Sequence, residues 1–274
     1  EVIINFNSSE AYQDFLKSLS ERNFKLLGSS DLFNSVRLGF ENFGDLFSEL
    51  SSMDPDSYDL ETNFLVSLPS QPGIGNSPGA GDNAIPVGRN ALSVIGINGD
   101  NSEYGNGVKV AVIDSGVQEH ETFTGKEIKE FDFVVGQNGE GLPIDPDNGH
   151  GTAVASIIGG SDSRNPGVAP ASELLSFRVL DNDGYTDSHT LAEAIVAATD
   201  SGADIINISL GSNGDSGLVR RAVEYAISEG ALIVAATGNE GIGSISFPAA
   251  IDGVVAVGAN DAVGQHVDFA NSGT

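Results

Sequence analysis

The sequence predicts an α/β protein, a parallel sheet with helices on both faces, preceded by a small α+β domain. From residue 89 onward, short and almost wholly apolar strands alternate with helical stretches, which is typical of a buried parallel sheet. Residues 1–69 carry the element order β-α-β-β-α-β of the ferredoxin-like split motif. Residues 70–88 are rich in Gly, Pro, Ser and Asn, as linkers are. We therefore expect three regions, at 1–69, 70–88 and 89–274.

In the N-terminal region, a first strand is expected at residues 2–6. Ser8 offers a helix cap, and apolar residues recur at helical spacing after it. The remaining elements are two strands, a helix and a closing strand, at 24–27, 36–40, 42–53 and 63–68 respectively. Taken alone, such a domain could be a simple binding module.

In the C-terminal region, five apolar strands are expected, at 108–113, 174–179, 205–208, 231–236 and 254–257. Helices are expected at 150–160, about 188–201 and about 216–229. The first of these helices consists mostly of small and apolar residues, so we expect it to be buried nearly all round. In parallel sheets, functional residues gather beyond the carboxyl ends of the strands.

The composition is strongly acidic, with 39 Asp and Glu against 12 Lys and Arg and a formal net charge of -27. Such a surface argues against nucleic acids and anionic membranes as partners. No apolar run approaches the length that spans a bilayer. The chain has no cysteine, which excludes a thiol nucleophile, a disulfide and a thiolate metal site.

Three polar residues lie at the expected strand and helix ends. Asp114 ends an apolar strand, and His150 stands between two glycines at the start of a helix. A carboxylate placed there can accept a hydrogen bond from the imidazole, fix its tautomer and stabilise its charged form. Asn239, on a Gly-Asn turn, is an uncharged donor suited to stabilising an oxyanion. For His150 taken alone, a helix-entry histidine satisfied by a backbone carbonyl is an equally good interpretation.

Four segments surround these strand and helix ends: Val112-Ile113-Asp114-Ser115-Gly116, Asn148-Gly149-His150-Gly151-Thr152-Ala153-Val154-Ala155, Ile206-Asn207-Ile208-Ser209-Leu210-Gly211 and Ala235-Ala236-Thr237-Gly238-Asn239-Glu240-Gly241. Together they resemble the motifs of the subtilisin-like serine peptidases. The resemblance covers residues 89–274. It implies that Asp114 orients His150, that His150 is the general base and acid, and that Asn239 donates to the oxyanion. It also implies that two backbone segments pair with an extended polypeptide substrate, namely Gly184, Tyr185, Thr186 and Ser209, Leu210, Gly211.

The resemblance further implies that residues 1–69 are a propeptide, which assists folding and inhibits the peptidase. Residues 63–69 lie where the tail of such a propeptide occupies the substrate cleft, and maturation would cut between about 68 and 88. The protein is then expected to be a secreted zymogen, with a signal peptide upstream of the sequence given.

The nucleophile of the family has no counterpart in the sequence. The family's serine lies in a Gly-Thr-Ser-x-Ala-x-Pro segment, which does not occur in the 274 residues, and Ser272 precedes that position in the family. We therefore expect the catalytic serine to lie beyond this chain, the 274 residues to be inactive alone, and residues 89–274 to be under-packed. The expected function is that of a serine endopeptidase precursor with an Asp-His-Ser triad. The alternative is a catalytically inactive module that binds peptides or proteins.

The expected chemistry requires no cofactor. Asp181, Asn182 and Asp183 place oxygen ligands close together, which would suit a structural calcium ion. The segment lacks the spacing and the distal glutamate of an EF-hand loop, so a solvated turn is the preferred interpretation. No residue is assigned as a metal ligand.

Overall fold

The computed structural model describes residues 1–22, 24–69, 91–134, 149–261 and 264–273. Three sheets occur in these ranges: a four-stranded antiparallel sheet, a six-stranded parallel sheet and a two-stranded antiparallel pair. The linker expected at 70–88 lies outside the described residues. Within the described ranges, no helix has the length and the hydropathy needed to cross a membrane.

The antiparallel sheet is built by the N-terminal part of the chain. Its strands are β1 (Val2–Phe6), β2 (Lys25–Ser30), β3 (Ser35–Gly39) and β4 (Tyr58–Thr62), in the order β2-β3-β1-β4. Helices α1 (Ser9–Ser18) and α2 (Phe43–Leu50) follow Ser8 and Asn42, whose side chains accept hydrogen bonds from first-turn amides. The buried residues of both helices pack on β1 and β3; they are Tyr12, Phe15, Leu46 and Leu50. The expected order β-α-β-β-α-β is therefore present.

The closing strand of this sheet is not where the sequence analysis expected it. Tyr58–Thr62 pairs with β1, whereas the expected strand at 63–68 leaves the sheet. Its central part forms a separate strand, β5 (Leu65–Ser67), and Val66 is buried in the core of the C-terminal part. The run 63–68 is apolar because it packs against the larger part of the molecule. Hydrophobic periodicity alone does not tell which sheet an apolar run joins.

The C-terminal part contains the parallel sheet. Its strands are β6 (Lys109–Asp114), β7 (Ile128–Asp132), β8 (Glu173–Arg178), β10 (Ile205–Ile208), β11 (Leu232–Ala236) and β12 (Val255–Val257), in the order β12-β11-β10-β6-β8-β7. The short strand β9 (Tyr185–Asp187) pairs with β5. The helices are α3 (Ala91–Val94), α4 (His150–Gly159), α5 (Ser188–Asp200) and α6 (Gly217–Ser228). The predicted α/β fold is confirmed, although β7, a charged edge strand, was not predicted.

Helices cover the two faces of the parallel sheet to different extents. On one face, α5 and α6 pack over fully buried residues such as Ala111, Ile206 and Ile233. On the other face, α4 packs against Val110 and Leu174. One face thus carries a complete helical layer, and the other carries a single long helix within the described residues.

The expectation that α4 is buried nearly all round is wrong. Only Gly151, Ala155 and Gly159 of this helix are buried, and Ile157 is 66% exposed. The same face of the sheet is open over β11 and β12, where Val255 is 44% and Val257 is 48% exposed. Apolar composition indicates which residues can be buried, and the described residues place no layer over this side.

We call this region the exposed apolar face; it consists of Leu232, Val255 and Val257. The strand register shows that its sheet residues share the side on which α4 packs. Leu232 is paired with Ile205, and Ile205 is paired with Val110. The expectation that residues 89–274 are under-packed stays a prediction.

Candidate active site

The carboxylate of Asp114 and the imidazole of His150 are hydrogen-bonded at the carboxyl edge of the parallel sheet. Nδ1 of His150 lies 2.8 Å from Oδ1 and 2.9 Å from Oδ2 of Asp114. Because an ionised carboxylate only accepts, Nδ1 carries a proton and donates it, which leaves Nε2 as the acceptor nitrogen of the neutral ring. The side chain of Asp114 is buried and that of His150 is 27% exposed, so the pair reaches solvent through the histidine.

The close approach of β6 and α4 depends on the residues beside the pair. The amide of Ser115 donates to Oδ1 of Asp114 at 2.7 Å, and Oγ of Ser115 accepts from the amide of Gly151 at 3.0 Å. A Cβ at Gly151 would lie 2.4 Å from the carbonyl oxygen of Gly116. Only glycine therefore lets the first turn of α4 come this close to the end of β6.

The pKa of His150 is raised above its ordinary value. The hydrogen bond to Asp114 is the largest cause, burial lowers the pKa by less, and the charge of Asp114 adds a smaller rise. The imidazolium that forms when His150 takes up a proton is therefore stabilised by its carboxylate partner. This arrangement suits the ring to accept a proton from a hydroxyl and to return it.

The two backbone segments assigned to substrate binding both contact β5. Val66 is opposite Thr186 and Ser67 is opposite Tyr185 in the antiparallel pair of β5 and β9. On the other side of β5, the amide of Ser67 donates to the carbonyl of Gly211 at 3.0 Å. The amide of Gly211 donates back to the carbonyl of Ser67 at 2.9 Å. β5 is thus the middle strand between the segments 184–187 and 209–211.

The other three residues assigned to substrate binding differ in their contacts. The carbonyl of Gly184 accepts from the amide of Leu68 at 3.4 Å. Leu210 is buried in the hydrophobic core, and Oγ of Ser209 accepts from Nδ2 of Asn207 at 3.0 Å. The side chains of Ser209 and Leu210 thus hold the segment that presents Gly211.

The side chain of Val66 lines a small pocket beside β5. The pocket lies between α5 and the start of α6, and its walls include Leu191, Gly214 and Val219. Val66 is buried there and belongs to the main core. The contact between β5 and the rest of the molecule is therefore made by backbone hydrogen bonds and by one apolar side chain.

Asn239 lies on the turn after β11, where it is partly buried. Because β6, β10 and β11 are parallel neighbours, their carboxyl ends bring Asp114, Ser209 and Asn239 to one edge of the sheet. The order of the predicted strands leads to the same placement. The catalytic roles of Asp114, His150 and Asn239 stay predictions.

Two residues that the sequence analysis did not single out contact the helices beside this site. The carboxylate of Glu61 accepts from the amide of Leu218 in α6, at 3.2 Å to each oxygen. Oδ1 of Asn63 accepts from Oγ of Ser188 at 3.0 Å and from the amide of His189 at 3.2 Å. Both side chains thus accept hydrogen bonds at a helix N-terminus, where the first backbone amides have no acceptor within the helix. The partners are at least 125 residues apart in the chain, so no local sequence signal pairs them.

The segment after β8 forms a hydrogen-bonded turn. Oδ1 of Asp181 accepts from the amides of Asp183 and Tyr185, at 3.0 and 2.8 Å. In the described part of the chain, no group of three or more His, Cys, Asp or Glu side chains could hold a metal ion. The calcium ion considered for this segment stays an untested alternative to the solvated turn.

Comparisons with known proteins place the chain in a family. The profile of the subtilase family matches residues 105–274. M-protease of Shouchella clausii (strain KSM-K16) is 31% identical over 283 residues, which cover 99% of this chain and 69% of that protein. A thermophilic serine proteinase of Bacillus sp. (strain AK1) is 38% identical over 179 residues, which cover 64% of this chain and 44% of that protein. The chain thus spans between 44% and 69% of the length of these relatives.

A solved structure has a similar fold. The epidermin leader peptide processing serine protease of Staphylococcus aureus superposes with a TM-score of 0.73 at 19% sequence identity, covering 98% of this chain and 72% of that one. At this identity the likeness concerns the fold alone. The profile match and the similarity to M-protease go further, and they show that the chain belongs to the subtilase family.

Proposed function

We propose that the chain is the precursor of a serine endopeptidase, which hydrolyses polypeptides by acyl transfer. The observation that carries this proposal is the hydrogen-bonded pair of Asp114 and His150, at 2.8 Å. The extended segment held between 184–187 and 209–211 supports a polypeptide substrate. Two relatives named as proteases or proteinases support the same reaction.

The proposed chemistry uses the free nitrogen of His150. As the oxygen of a serine bonds to the scissile carbonyl carbon, the serine proton passes to Nε2. When the C–N bond breaks, His150 gives this proton to the leaving amine, and an acyl-enzyme remains. Water then repeats both steps and releases the acid and the free serine. Asp114 stays ionised and stabilises the imidazolium, and Asn239 donates to the oxyanion.

We propose that the serine is supplied by a segment beyond these 274 residues, which packs on the exposed apolar face. The Gly-Thr-Ser-x-Ala-x-Pro pattern is absent from the sequence. Both hydrogen bonds of the His150 ring to described residues are made by Nδ1. A helix laid over β11 and β12 would bury Val255 and Val257 on the side of the sheet where α4 packs. The 274 residues alone then lack the nucleophile and are inactive.

Residues 1–69 are, in this proposal, an inhibitory propeptide, and residues 89–274 belong to the peptidase domain. β5 takes the place of a substrate strand. Its position is fixed by the side chains of Glu61 and Asn63, which accept hydrogen bonds from amides at the N-termini of α6 and α5. An ion pair of Arg37 and Asp187, with Nη1 and Oδ2 2.6 Å apart, adds to the contact. Cleavage within 70–88 would free the cleft. A zymogen of this kind suits a secreted protein, and a net charge of -27 suits a saline medium.

Steady-state hydrolysis of a peptide substrate tests the proposal in the protein that includes its nucleophile-bearing segment. His150→Ala should lower kcat by about four orders of magnitude or more, because the base is lost. The matched control is His120→Ala, since His120 is exposed and contacts the amide of Thr122; its kcat should not change. Equal activity of His150→Ala and wild type would refute the proposal. A wild type that binds peptides without cleaving them would instead support the inactive binding module.

A further inference from the structure

A buried asparagine braces the loop that carries Asn239. Asn271 is 1% exposed. Its Oδ1 accepts from the amides of Glu240 and Ile242, at 3.0 and 3.2 Å. Its Nδ2 donates to Oε2 of Glu240 at 2.7 Å and to Oγ of Ser246 at 3.3 Å. One side chain therefore uses both lone pairs of its carbonyl and both protons of its amide.

The backbone of Asn271 holds the same loop on the other side of Asn239. Its amide donates to the carbonyl of Gly238 at 2.9 Å. Gly238 has a φ of +101°, and a Cβ there would lie 2.4 Å from Nδ2 of Asn271. The loop is thus fixed directly before Asn239, at Gly238, and directly after it, at Glu240.

We propose that Asn271 is a positioning residue, which holds Asn239 where it donates to the oxyanion. The inference rests on the proposed function, in which Asn239 is the oxyanion donor. Such a donor acts only within hydrogen-bond distance of the developing charge, and a misplacement of about 1 Å lowers the rate by about two orders of magnitude. Without the side chain of Asn271, the amides of Glu240 and Ile242 lose their acceptor, and the segment directly after Asn239 is held less firmly.

The groups around position 271 require both a donor and an acceptor. Alanine would remove all four side-chain hydrogen bonds. Aspartate would keep the acceptor for the two amides, but it would place a second carboxylate against Oε2 of Glu240. Among side chains of this size, asparagine alone meets both needs.

Kinetics of the protein with its nucleophile-bearing segment tests the inference. Asn239→Ala should lower kcat by about 10²–10³-fold. Asn271→Ala should lower kcat by about 10-fold or more, with KM changed less than about 3-fold. Because both residues act through one donor, Asn271→Ala should lower the kcat of Asn239→Ala by less than about twofold. An unchanged kcat for Asn271→Ala, or losses that multiply in the double variant, would overturn the inference.

Exchanging the carboxylate and the amide between positions 240 and 271 provides a rescue experiment. Asn271→Asp should lower kcat by about 10-fold. Adding Glu240→Gln should recover most of this loss, because the new amide can donate to the new carboxylate. A double variant that remains as slow as Asn271→Asp would contradict a role for the hydrogen bond between the side chains at positions 271 and 240.

Asn101→Ala is the matched control for an asparagine that only stabilises the fold. Asn101 is also buried, and its Nδ2 donates to the carbonyls of Gly167 at 2.8 Å and Val168 at 3.2 Å. Both Asn101→Ala and Asn271→Ala should lower the melting temperature. Only Asn271→Ala should lower kcat, and an equal loss of kcat in both variants would contradict a positioning role.

Amide hydrogen exchange separates this inference from the proposed function. In Asn271→Ala, the amides of Glu240 and Ile242 should exchange about 10-fold faster than in wild type. In Asn101→Ala, their exchange should be unchanged. If the wild-type protein hydrolyses no peptide, the proposed function fails. Unchanged exchange at these two amides would overturn the bracing role independently of activity.

Discussion

Among single residues, Asp114 is a carboxylate that the fold buries and must therefore stabilise. Its side chain is buried at the end of an otherwise apolar strand, where a lone carboxylate would be strongly disfavoured. It is stabilised by the amide of Ser115 and by Nδ1 of His150, and hydrogen bonds to an ionised group are stronger than neutral ones. The same interaction raises the pKa of His150. A pH profile can therefore report on the pair directly.

Replacing Asp114 should change both the rate and its dependence on pH. His150 must be neutral to act as a base, so kcat rises with pH through the raised pKa of this histidine. Asp114→Asn removes the group that raises the pKa, so the acid limb of the profile should move to lower pH. The kcat should fall by about four orders of magnitude, because the imidazolium loses its partner.

The control for this prediction is Asp204→Asn. Asp204 accepts from the amide of Lys109 at 2.8 Å, at the opposite end of β6. This variant should leave the pH profile of kcat unchanged. An acid limb that stays in place in Asp114→Asn would show that Asp114 does not set the pKa of the base.

At the scale of elements, contacts between the two sheet-containing parts concentrate at β5 and at the N-termini of α5 and α6. β5 supplies backbone hydrogen bonds to β9 and Gly211. Glu61 and Asn63 lie just before β5 and satisfy groups at the two helix starts. A carboxylate at a helix N-terminus also interacts favourably with the helix dipole. In the precursor that we propose, these contacts should set how firmly the N-terminal part blocks the cleft.

Glu61→Ala should weaken this block. Loss of a hydrogen bond to a charged acceptor costs about 1.5–3 kcal/mol, which corresponds to a docking equilibrium weakened by about 10-fold or more. A serine-directed probe should therefore label the uncleaved precursor about 10-fold faster. Glu49→Ala is the matched control, because Glu49 pairs with Arg22 inside the N-terminal part, with Oε2 3.3 Å from Nη1. Equal labelling rates for both variants would contradict the role given to Glu61.

For the whole molecule, the main feature is the difference between the two faces of the parallel sheet. The face under α5 and α6 is closed, and the face beside α4 exposes Leu232, Val255 and Val257. Contiguous apolar surface of this kind commonly marks a site of association. In our proposal the nucleophile-bearing segment occupies it, so the stability of the two forms should respond differently to polar substitutions there.

Val257→Thr tests this difference while it preserves the β-branched shape. Val257 is 48% exposed in the 274-residue chain, so the free energy of unfolding should change by less than about 0.5 kcal/mol. In the protein with the nucleophile-bearing segment, a buried hydroxyl without a partner should cost about 1–3 kcal/mol. Urea unfolding of both forms measures the two values. Ile233→Val is the control, because Ile233 is buried under the closed face and should cost about 1 kcal/mol in both forms. Equal costs for Val257→Thr in both forms would contradict the proposed packing.

The sequence predicted the parts of this molecule that depend on short-range pattern. Continuous apolar strands predicted the parallel sheet, and the rule for strand ends placed Asp114 and Asn239 on one edge. The same patterns could not tell which strand the run 63–68 pairs with, because an apolar sequence fits either sheet equally well. They also missed Asn271 and Glu61, whose hydrogen-bond partners lie at least 25 residues away in the chain. Tertiary contacts of this kind follow from the fold and not from local propensity.

The most direct test of the account is to locate the residue that a fluorophosphonate probe modifies in the protein that includes its nucleophile-bearing segment. Mass spectrometry of the labelled protein should find one modified serine, in a Gly-Thr-Ser segment outside the 274 residues. Labelling of His150→Ala should be slower by about three orders of magnitude or more, because the serine is no longer activated. Modification of a serine within the 274 residues, such as Ser272, or equally fast labelling of His150→Ala, would contradict the account.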